Sequence, residues 1–383
     1  MNEQTAVVAV AEETRELARR VARERIGPGA LERDRNRSFP WEGIRALGEA
    51  GLLEVGIAER WGGVGGGRRA LAAVAEEVGR VCASTALVYV TTSIAAKAIE
   101  VAGSAAMKER WLPPLLAGRS VGAFAVHEPD SGCDSAAITT RAWKDGEHYR
   151  VNGSKFFITS AQEADVYVVL VRQDPLEAPA SMSALLIEKD TPGLSFGRPE
   201  EKMGLASTSS REMFFDDCRI PAENLLGEEG AGEKVIGQAV PGWGFFGAAA
   251  IAVGIAKSAT ELSINHAKER TIAGNPIGVH QAVQMMIADL VVATEAAEAL
   301  LASCAARADA SPEIAALSGF KAKLLASETA IEAADRAIQV HGGHGYCREY
   351  IVERLFRDAR GLAVHFKTSE LLRQDIAGAA LGL

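Results

Sequence analysis

HYRVNGSKFFITSA, residues 148–161, alternates apolar and polar side chains with a period of about two. Such alternation predicts a half-buried β-strand. Three more short segments are rich in β-branched and aromatic residues: ADVYVVLVR at 164–172, MSALLIEK at 182–189 and EMFFDDCRI at 212–220. Asp145-Gly146 and Asn152-Gly153 have the chemistry of turns between strands. We therefore predict an antiparallel β-domain, a sandwich or a barrel, over residues 121–232.

The segments on both sides of this β-domain have helical periodicity. In ETRELARRVARERI, residues 13–26, Leu17, Val21 and Ile26 fall roughly on one stripe. GAAAIAVGIAKSATELSINHAKER at 247–270 and SPEIAALSGFKAKLLASETAIEAADRAIQVH at 311–341 predict long, alanine-rich helices. The predicted order is an N-terminal helical domain at 1–120, the β-domain, and a C-terminal helical bundle at 233–383, which is an α+β fold.

The composition argues against several classes of function. The 383 residues carry a net charge of −9, which disfavours a nucleic-acid partner. The apolar run at 247–256 is about half the length that spans a bilayer, so no membrane partner is expected. The five cysteines are scattered, without CxxC or Cys/His ligand spacing, which favours a reduced, cytoplasmic protein without a metal site.

Four further segments carry candidate chemistry. GAFAVHEPDSGCDSAA at 122–137 is a strand followed by a turn whose backbone N–H groups could bind a phosphate. SKFFITSA at 154–161 ends a strand in threonine, HAKERTIAGNPIGVHQAVQ at 266–284 ends a helix in arginine, and AIQVHGGHGYCREYIVERLFRDAR at 337–360 contains a Gly-Gly turn. Each motif alone is weak, because Arg270, for example, could simply complement the dipole of its helix.

In this order, and on this layout, the four segments resemble the acyl-CoA dehydrogenase family over essentially the whole chain. The resemblance implies an FAD flavoprotein with an N-terminal helical domain, a middle β-domain and a C-terminal four-helix bundle, assembled as a homodimer or homotetramer. FAD would lie between the β-domain and the bundle. Residues of this chain that match cofactor-binding positions of the family are Phe124, Val126, His127, Cys133, Phe157, Thr159, Arg270, Gln281, Gln339, Gly342, Gly343 and Thr368.

The resemblance also assigns places to these residues. Phe124–His127 and Phe157–Thr159 would contact the flavin ring, with Thr159 donating near N5, and Cys133 would lie in the phosphate-side loop. Thr368 would lie near the pyrophosphate. The remaining matches, Arg270, Gln281, Gln339, Gly342 and Gly343, would reach or border the FAD of a neighbouring subunit.

The chain departs from the family on the substrate side. Family members usually carry the motif Arg-Asp-Ala-Lys near the C-terminus, followed by four further residues and then by the motif Tyr-Glu-Gly-Thr-Ser. The glutamate of the second motif removes the α-proton of the substrate. Aligned on Arg357–Arg360 and on Thr368-Ser369, the Tyr-Glu-Gly trio becomes His365-Phe366-Lys367. A phenyl ring cannot accept a proton.

Other expected groups are also replaced. Gly244 stands at an alternative base position of the family, and Gly242 and Phe245 stand where an aspartate and an arginine usually hold the pantetheine arm. Ala273 replaces a phenylalanine against the FAD adenine, and His127 replaces a threonine beside the flavin.

The favoured hypothesis is an FAD-dependent oxidoreductase acting on an unusual acyl thioester, bound to coenzyme A or to a carrier protein. His365 is the candidate replacement base, because an imidazole titrates near neutrality, and Lys367 would lower its pKa if both side chains faced one cavity. His127 is the second candidate. In an extended segment His365 and Phe366 would point to opposite sides. Three alternatives stay open: a flavin monooxygenase, a redox-neutral elimination enzyme, and a non-catalytic partner subunit. The electron acceptor is left open as well.

Overall fold

Helices form the N-terminal part of the computed structural model, which describes residues 3–173 and 181–383. The helices are α1 (Glu3–Val21), α2 (Ala30–Asn36), α3 (Trp41–Glu49), α4 (Gly67–Val81), α5 (Ala83–Ala102) and α6 (Ala105–Leu116). Helix α6 begins where the Ser104 hydroxyl accepts a hydrogen bond from the Met107 N–H. Helix α5 is buried along almost its whole length, so it forms the centre of this region.

The middle of the chain forms one eight-stranded sheet. Its strands are β1 (Gly122–Ala125), β2 (Arg141–Asp145), β3 (His148–Thr159), β4 (Val166–Gln173), β5 (Met182–Glu188), β6 (Leu194–Phe196), β7 (Ser210–Pro221) and β8 (Leu225–Leu226). Their order is β6-β7-β3-β2-β4-β5-β8, and β1 also pairs with β4. The sheet is not wholly antiparallel, because β4 runs parallel to both β1 and β2.

Only one of the two predicted turns is a turn. Asp145 pairs with His148 across a tight hairpin in which Gly146 has a φ of 62°. Asn152-Gly153 lies inside β3 instead, at a bulge opposite β7. A Cβ at Gly153 would lie 2.7 Å from the Thr140 Cα, so glycine is required by close packing and by its φ of 142°.

Helices return in the C-terminal part. They are α7 (Gly232–Ala239), α8 (Phe245–Glu269), α9 (Gln281–Ala310), α10 (Ala315–His341), α11 (Ile351–Val364) and α12 (Ser369–Leu381), with a short hairpin of β9 (Thr271–Ile272) and β10 (Asn275–Pro276) after α8. Helix α8 packs closely on the N-terminal helices: a Cβ at Gly254 would lie 2.3 Å from the Glu76 carbonyl oxygen of α4. One hydrophobic core therefore spans the N-terminal and C-terminal helices and the sheet.

Two helical stretches are long and apolar enough to cross a membrane by length and composition, Ala83–Ala102 and Gly232–Glu269. In the folded chain 83% and 94% of their most apolar windows are buried, as in the core helices of soluble proteins.

Candidate active site

The turn between α11 and α12, residues 365–368, holds the residue expected at the place of the base. Phe366 has a φ of 61°, a left-handed conformation that bulky residues rarely adopt. The Lys323 ammonium on α10 donates hydrogen bonds to the carbonyls of Ala363, at 3.0 Å, and Lys367, at 2.7 Å. These bonds lie on either side of Phe366. A strained backbone conformation persists only where surrounding contacts hold it in place. The hydrogen bonds from this fully buried ammonium are such contacts.

The Phe366 ring belongs to an aromatic cluster, which we define as Phe124, Phe245, Phe320 and Phe366. The rings of Phe124 and Phe366 are stacked, with centroids 5.7 Å apart and an interplanar angle of 11°. Phe245 lies 5.7 Å from Phe366 and 5.1 Å from Phe320. Phe366 is only 8% exposed, so its side chain fills this space without offering a proton acceptor.

Two imidazoles flank Phe366. The Phe366 carbonyl near the His127 ring acts to raise the pKa of that imidazole, so it favours a proton on the ring nitrogen that faces it. The His365 ring contacts the Phe366 ring edge to face, with centroids 4.4 Å apart. Both imidazoles are neutral at pH 7, because burial lowers the pKa of His127 and burial, with nearby positive charge, lowers the pKa of His365 to about 3.

Lys367 does not share a cavity with His365. Its ammonium lies 2.5 Å from an Asp375 carboxylate oxygen and 5.5 Å from the centre of the Phe320 ring. The positive charges that lower the pKa of His365 come instead from Lys323 and Lys202, and from His127 when that ring is protonated. The condition under which Lys367 would lower this pKa is therefore not met, because that side chain turns towards α12.

Strand β3 ends in a bulge that presents an aromatic ring. The register with β7 shifts between Lys155 and Ile158, and Phe157 has a φ of 55°. The Phe157 side chain is 54% exposed, although the residues of the neighbouring Phe366 site are buried. Bulges often re-aim a side chain next to a functional site. The exposed ring offers an apolar surface of the kind that a planar cofactor could cover.

The strand ends bring several expected flavin contacts together. The Phe156 N–H donates to the His127 carbonyl at 2.8 Å, and the Lys155 ammonium donates to the Val126 carbonyl at 3.1 Å. The Cys133 sulfur lies 3.8 Å from the Phe366 carbonyl oxygen. Thr159, at the end of the same β3, is 7% exposed and pairs with Ser210 of β7.

A buried ion pair orders the loop that carries Cys133. Glu128 accepts hydrogen bonds from the Thr139 N–H and hydroxyl, both at 2.7 Å, from the Thr140 N–H at 2.9 Å, and from the Lys155 ammonium at 2.8 Å. Burial alone would raise the pKa of Glu128, but Lys155 and the other donors lower it to about 2. The carboxylate thus fixes residues 128–140 against β3.

The start of α12 suits a phosphate. The Thr368 hydroxyl caps the helix by accepting from the Leu371 N–H, and the next residue, Ser369, has a buried hydroxyl that finds no partner within residues 3–173 and 181–383. Ser160, beside Thr159, has a second buried and unpartnered hydroxyl. Backbone N–H groups at a helix N-terminus attract anions. The exposed Phe157 ring, these free hydroxyls and this helix terminus together fit FAD.

The other five expected cofactor contacts lie elsewhere in the chain. Phe245, at the start of α8, touches Phe366, whereas Arg270 directly follows the end of α8. The 25 residues of α8 span about 37 Å at 1.5 Å per residue, so Arg270 cannot reach the Phe366 site of its own chain.

Those five residues form a second group at the far end of the bundle. The stacked rings of His266 and His341, with centroids 4.2 Å apart, join the end of α8 to the end of α10. Gln281, at the start of α9, follows the β9–β10 hairpin, and Gln339, Gly342 and Gly343 surround the end of α10. Large apolar side chains are exposed here, among them Ile272, Met285 and Tyr346 at 55%, 63% and 85%.

Sequence reasoning missed Lys323. It is fully buried, and it lies in a helical row of small residues with Gly319, Ala326 and Ala330. A lysine within an apolar stripe of an alanine-rich helix was the available signal, since such an ammonium needs buried acceptors.

Three sequence models of one family match the chain: the N-terminal domain of acyl-CoA dehydrogenase at residues 10–119, its middle domain at 123–218 and its C-terminal domain at 242–381. The acryloyl-CoA reductase (NADH) of Anaerotignum propionicum is 39% identical over 95% of this chain and 92% of its own. The structure of butyryl-CoA dehydrogenase from Megasphaera elsdenii has a TM-score of 0.93 and 32% identity, covering 100% of this chain and 99% of that one.

The structure of the prolyl acyl carrier protein oxidase AnaB has a TM-score of 0.90 and 28% identity, and it covers all of both chains. FAD is the cofactor of this family, and the residues described above fit it. The chain is therefore a member of the acyl-CoA dehydrogenase family, an FAD-dependent oxidoreductase with that family's helix–β–helix fold.

Proposed function

We propose that the protein oxidises an acyl thioester, bound to coenzyme A or to a carrier protein, and that an imidazole takes the proton that a glutamate takes in relatives. The observation that carries this proposal is the pair of neutral imidazoles, His127 and His365, on either side of Phe366. FAD, when bound, supplies the hydride acceptor. The protein's part is to hold the acyl group and receive the proton at a ring nitrogen.

Of the two imidazoles, His127 is the better acceptor. A general base works best when its pKa is near the working pH, and a pKa of about 3 makes His365 a weak base. The Phe366 carbonyl near His127 favours a proton on the ring nitrogen that faces it, which leaves the other nitrogen as the acceptor. This ranking reverses the expectation from the sequence alone.

The substrate side supports an acyl group unlike that of the ordinary relatives. Phe245 packs into the aromatic cluster, and the Gly242 carbonyl accepts a hydrogen bond from Arg68 Nε at 2.6 Å, so neither position offers a charged anchor for a pantetheine arm. One structural relative is the prolyl acyl carrier protein oxidase AnaB. We therefore favour a compact acyl group, on a carrier protein or on coenzyme A, over long straight chains.

A homodimer or homotetramer is part of the proposal. The group around Arg270 lies about 37 Å along α8 from the Phe366 site, so it could contribute to an FAD site only in a neighbouring copy. The exposed apolar side chains around it would be covered by such a copy. We place this assembly in the cytoplasm.

The test is anaerobic mixing of the purified holoprotein with thioesters of coenzyme A and of carrier protein, with short, branched, cyclic and straight acyl groups. Loss of the flavin's visible absorbance with a compact thioester is the expected result. His127→Asn can keep a donor to the Phe366 carbonyl while losing the imidazole, and it should slow this loss about 10²–10⁴-fold. His365→Asn is the matched control.

A second candidate, a non-catalytic partner subunit, is favoured by one observation: the side chain at position 366 has no proton acceptor. This candidate predicts that no thioester bleaches the flavin, and that no unsaturated thioester reoxidises it after chemical reduction. The first experiment and this reverse reaction together separate the two functions.

A further inference from the structure

A basic cavity lies where the N-terminal helices, the sheet region and the C-terminal helices meet. Its volume is about 380 Å³. Its walls come from residues 31–37 around the end of α2, from the loop at 201–206, and from residues 348–357 at the start of α11. These segments are far apart in the sequence, so any ligand held here would contact all three parts of the fold.

Two of the three carboxylates of the cavity share one arginine. The Arg357 guanidinium forms paired hydrogen bonds with Asp34, at 2.6 and 3.2 Å, and with Glu353, at 2.7 and 2.9 Å. Glu201 is the remaining carboxylate in the wall. Side-chain charge in the cavity is therefore dominated by cations.

Four cations of the wall form no salt bridge within residues 3–173 and 181–383: Arg35, Arg37, Lys202 and Arg348. Arg35 donates to the Arg348 carbonyl at 3.1 Å, and the Lys202 ammonium donates to the Thr208 carbonyl. Placing like charges around a partly buried ammonium is unfavourable unless an anion neutralises them.

We propose that this cavity binds the phosphate groups of a small anionic metabolite, held by Arg37, Lys202 and Arg348. A guanidinium fork matches phosphate oxygens in two parallel hydrogen bonds, and a lysine adds a point charge. The cavity volume is at the lower end of the range for small-molecule sites, which suits a ligand with one or two phosphate groups. The wall includes none of the residues that match the family's cofactor positions, and Lys202 connects it to the Phe366 site through its charge on His365.

Lys202 supplies a signature for such binding. Burial and the Arg37 charge lower its pKa to about 8, while Glu163, Glu200 and Asp358 act in the opposite direction. A bound phosphate would raise that pKa, since an opposite charge favours the ammonium. Binding near pH 8 should therefore take up roughly half a proton from the buffer.

The experiment is calorimetric titration of the FAD-saturated protein with inorganic pyrophosphate. Parallel titrations, the other two arms of the experiment, use inorganic phosphate and adenosine monophosphate, and they identify the preferred source of the phosphate group. Saturable binding without release of flavin is expected with at least one of them. Arg37→Gln and Arg348→Gln alter exposed side chains, and together they should weaken binding roughly tenfold or more. Arg119→Gln, which removes an equally exposed arginine outside the cavity, should not.

Titration at pH 8 in two buffers of different ionisation enthalpy tests the role of Lys202. Proton uptake is expected for the unchanged protein and should vanish in Lys202→Met. The proposal is overturned if no arm gives saturable binding at millimolar concentration, if Arg119→Gln weakens binding as much as the cavity variants, or if binding occurs without proton uptake at pH 8.

Discussion

Replacing Lys155 by methionine removes the ammonium from the buried pair with Glu128. Both side chains are almost fully buried, and their charged atoms lie 2.8 Å apart. The variant would leave the carboxylate with three of its four donors, those of Thr139 and Thr140. Removing one partner of a buried ion pair typically costs about 3–5 kcal/mol. Because the three donors remain, we expect the free energy of unfolding to fall by about 2–4 kcal/mol.

The pKa of Glu128 gives the direction of the pH dependence. Its value of about 2, against 4.5 for the unperturbed group, means that Lys155 and the donors of Thr139 and Thr140 together stabilise the folded carboxylate, while burial lowers the pKa of Lys155 to about 8 and offsets part of that stability. A carboxyl group with a lowered pKa contributes this stability above pH 4.5 and loses it as the pH falls through about 2. The difference between the unchanged protein and Lys155→Met should therefore be full at pH 7 and should shrink as the solution is acidified.

Equilibrium urea unfolding of both proteins, followed from pH 7 to below pH 4.5, measures this difference. The exposed pair Arg25–Glu49, with side chains 53% and 62% exposed, offers a control. Arg25→Met should cost less than about 1 kcal/mol because water screens that pair. A Lys155→Met cost equal to that of the control, or one that grows on acidification, would contradict the reasoning. Loss of order in residues 128–140 should also reduce FAD retention.

Lys323→Met should lower the free energy of unfolding by about 2–4 kcal/mol, because two buried carbonyls lose their donor. Urea unfolding measures this change, and an unchanged value would show that Lys323 does not stabilise the turn. Arg270→Ala should weaken FAD binding by about 1.5–3 kcal/mol in calorimetry, and unchanged affinity would argue against its role in the cofactor site. Phe366→Glu should raise flavin reduction by butyryl-CoA from a low background by about 10²–10⁴-fold, whereas no gain would show that the turn does not present residue 366 to the substrate. His365→Ala should leave the rate of flavin reduction within about twofold, because its pKa makes it a weak base, and a loss greater than tenfold would assign the base to it.

The layout of the fold was predictable because periodicity is local. The alternation in 148–161 and the helical spacing of 311–341 each report a burial pattern within one element, and the family matches confirm the helix–β–helix order. Asn152-Gly153 was misread as a turn, because its conformation is set by Thr140 and by the register with β7, which are distant in the sequence.

The site was predictable only in part, since its physics depends on contacts between elements. The motif at 122–137 and the strand end at 154–161 do meet, but no local pattern shows the bulge that exposes Phe157. Lys202 meets Arg37 and Arg348 only after three parts of the chain have folded together. The assignments of individual cofactor and catalytic residues stay predictions until the variants above are measured.

Helix α5 raises a problem of timing during synthesis. Its Val90 and Ile94 side chains pack against Gly247 and Gly244, at the start of α8. About 140 residues separate the two helices, so at about 5–20 residues per second roughly 7–30 s pass between their emergence from the ribosome. The sheet can cover another face of α5 in that interval, through Ala95 against Gly122 of β1. The face that waits for α8 is apolar, so the order of synthesis leaves it exposed to chaperones before the core can close.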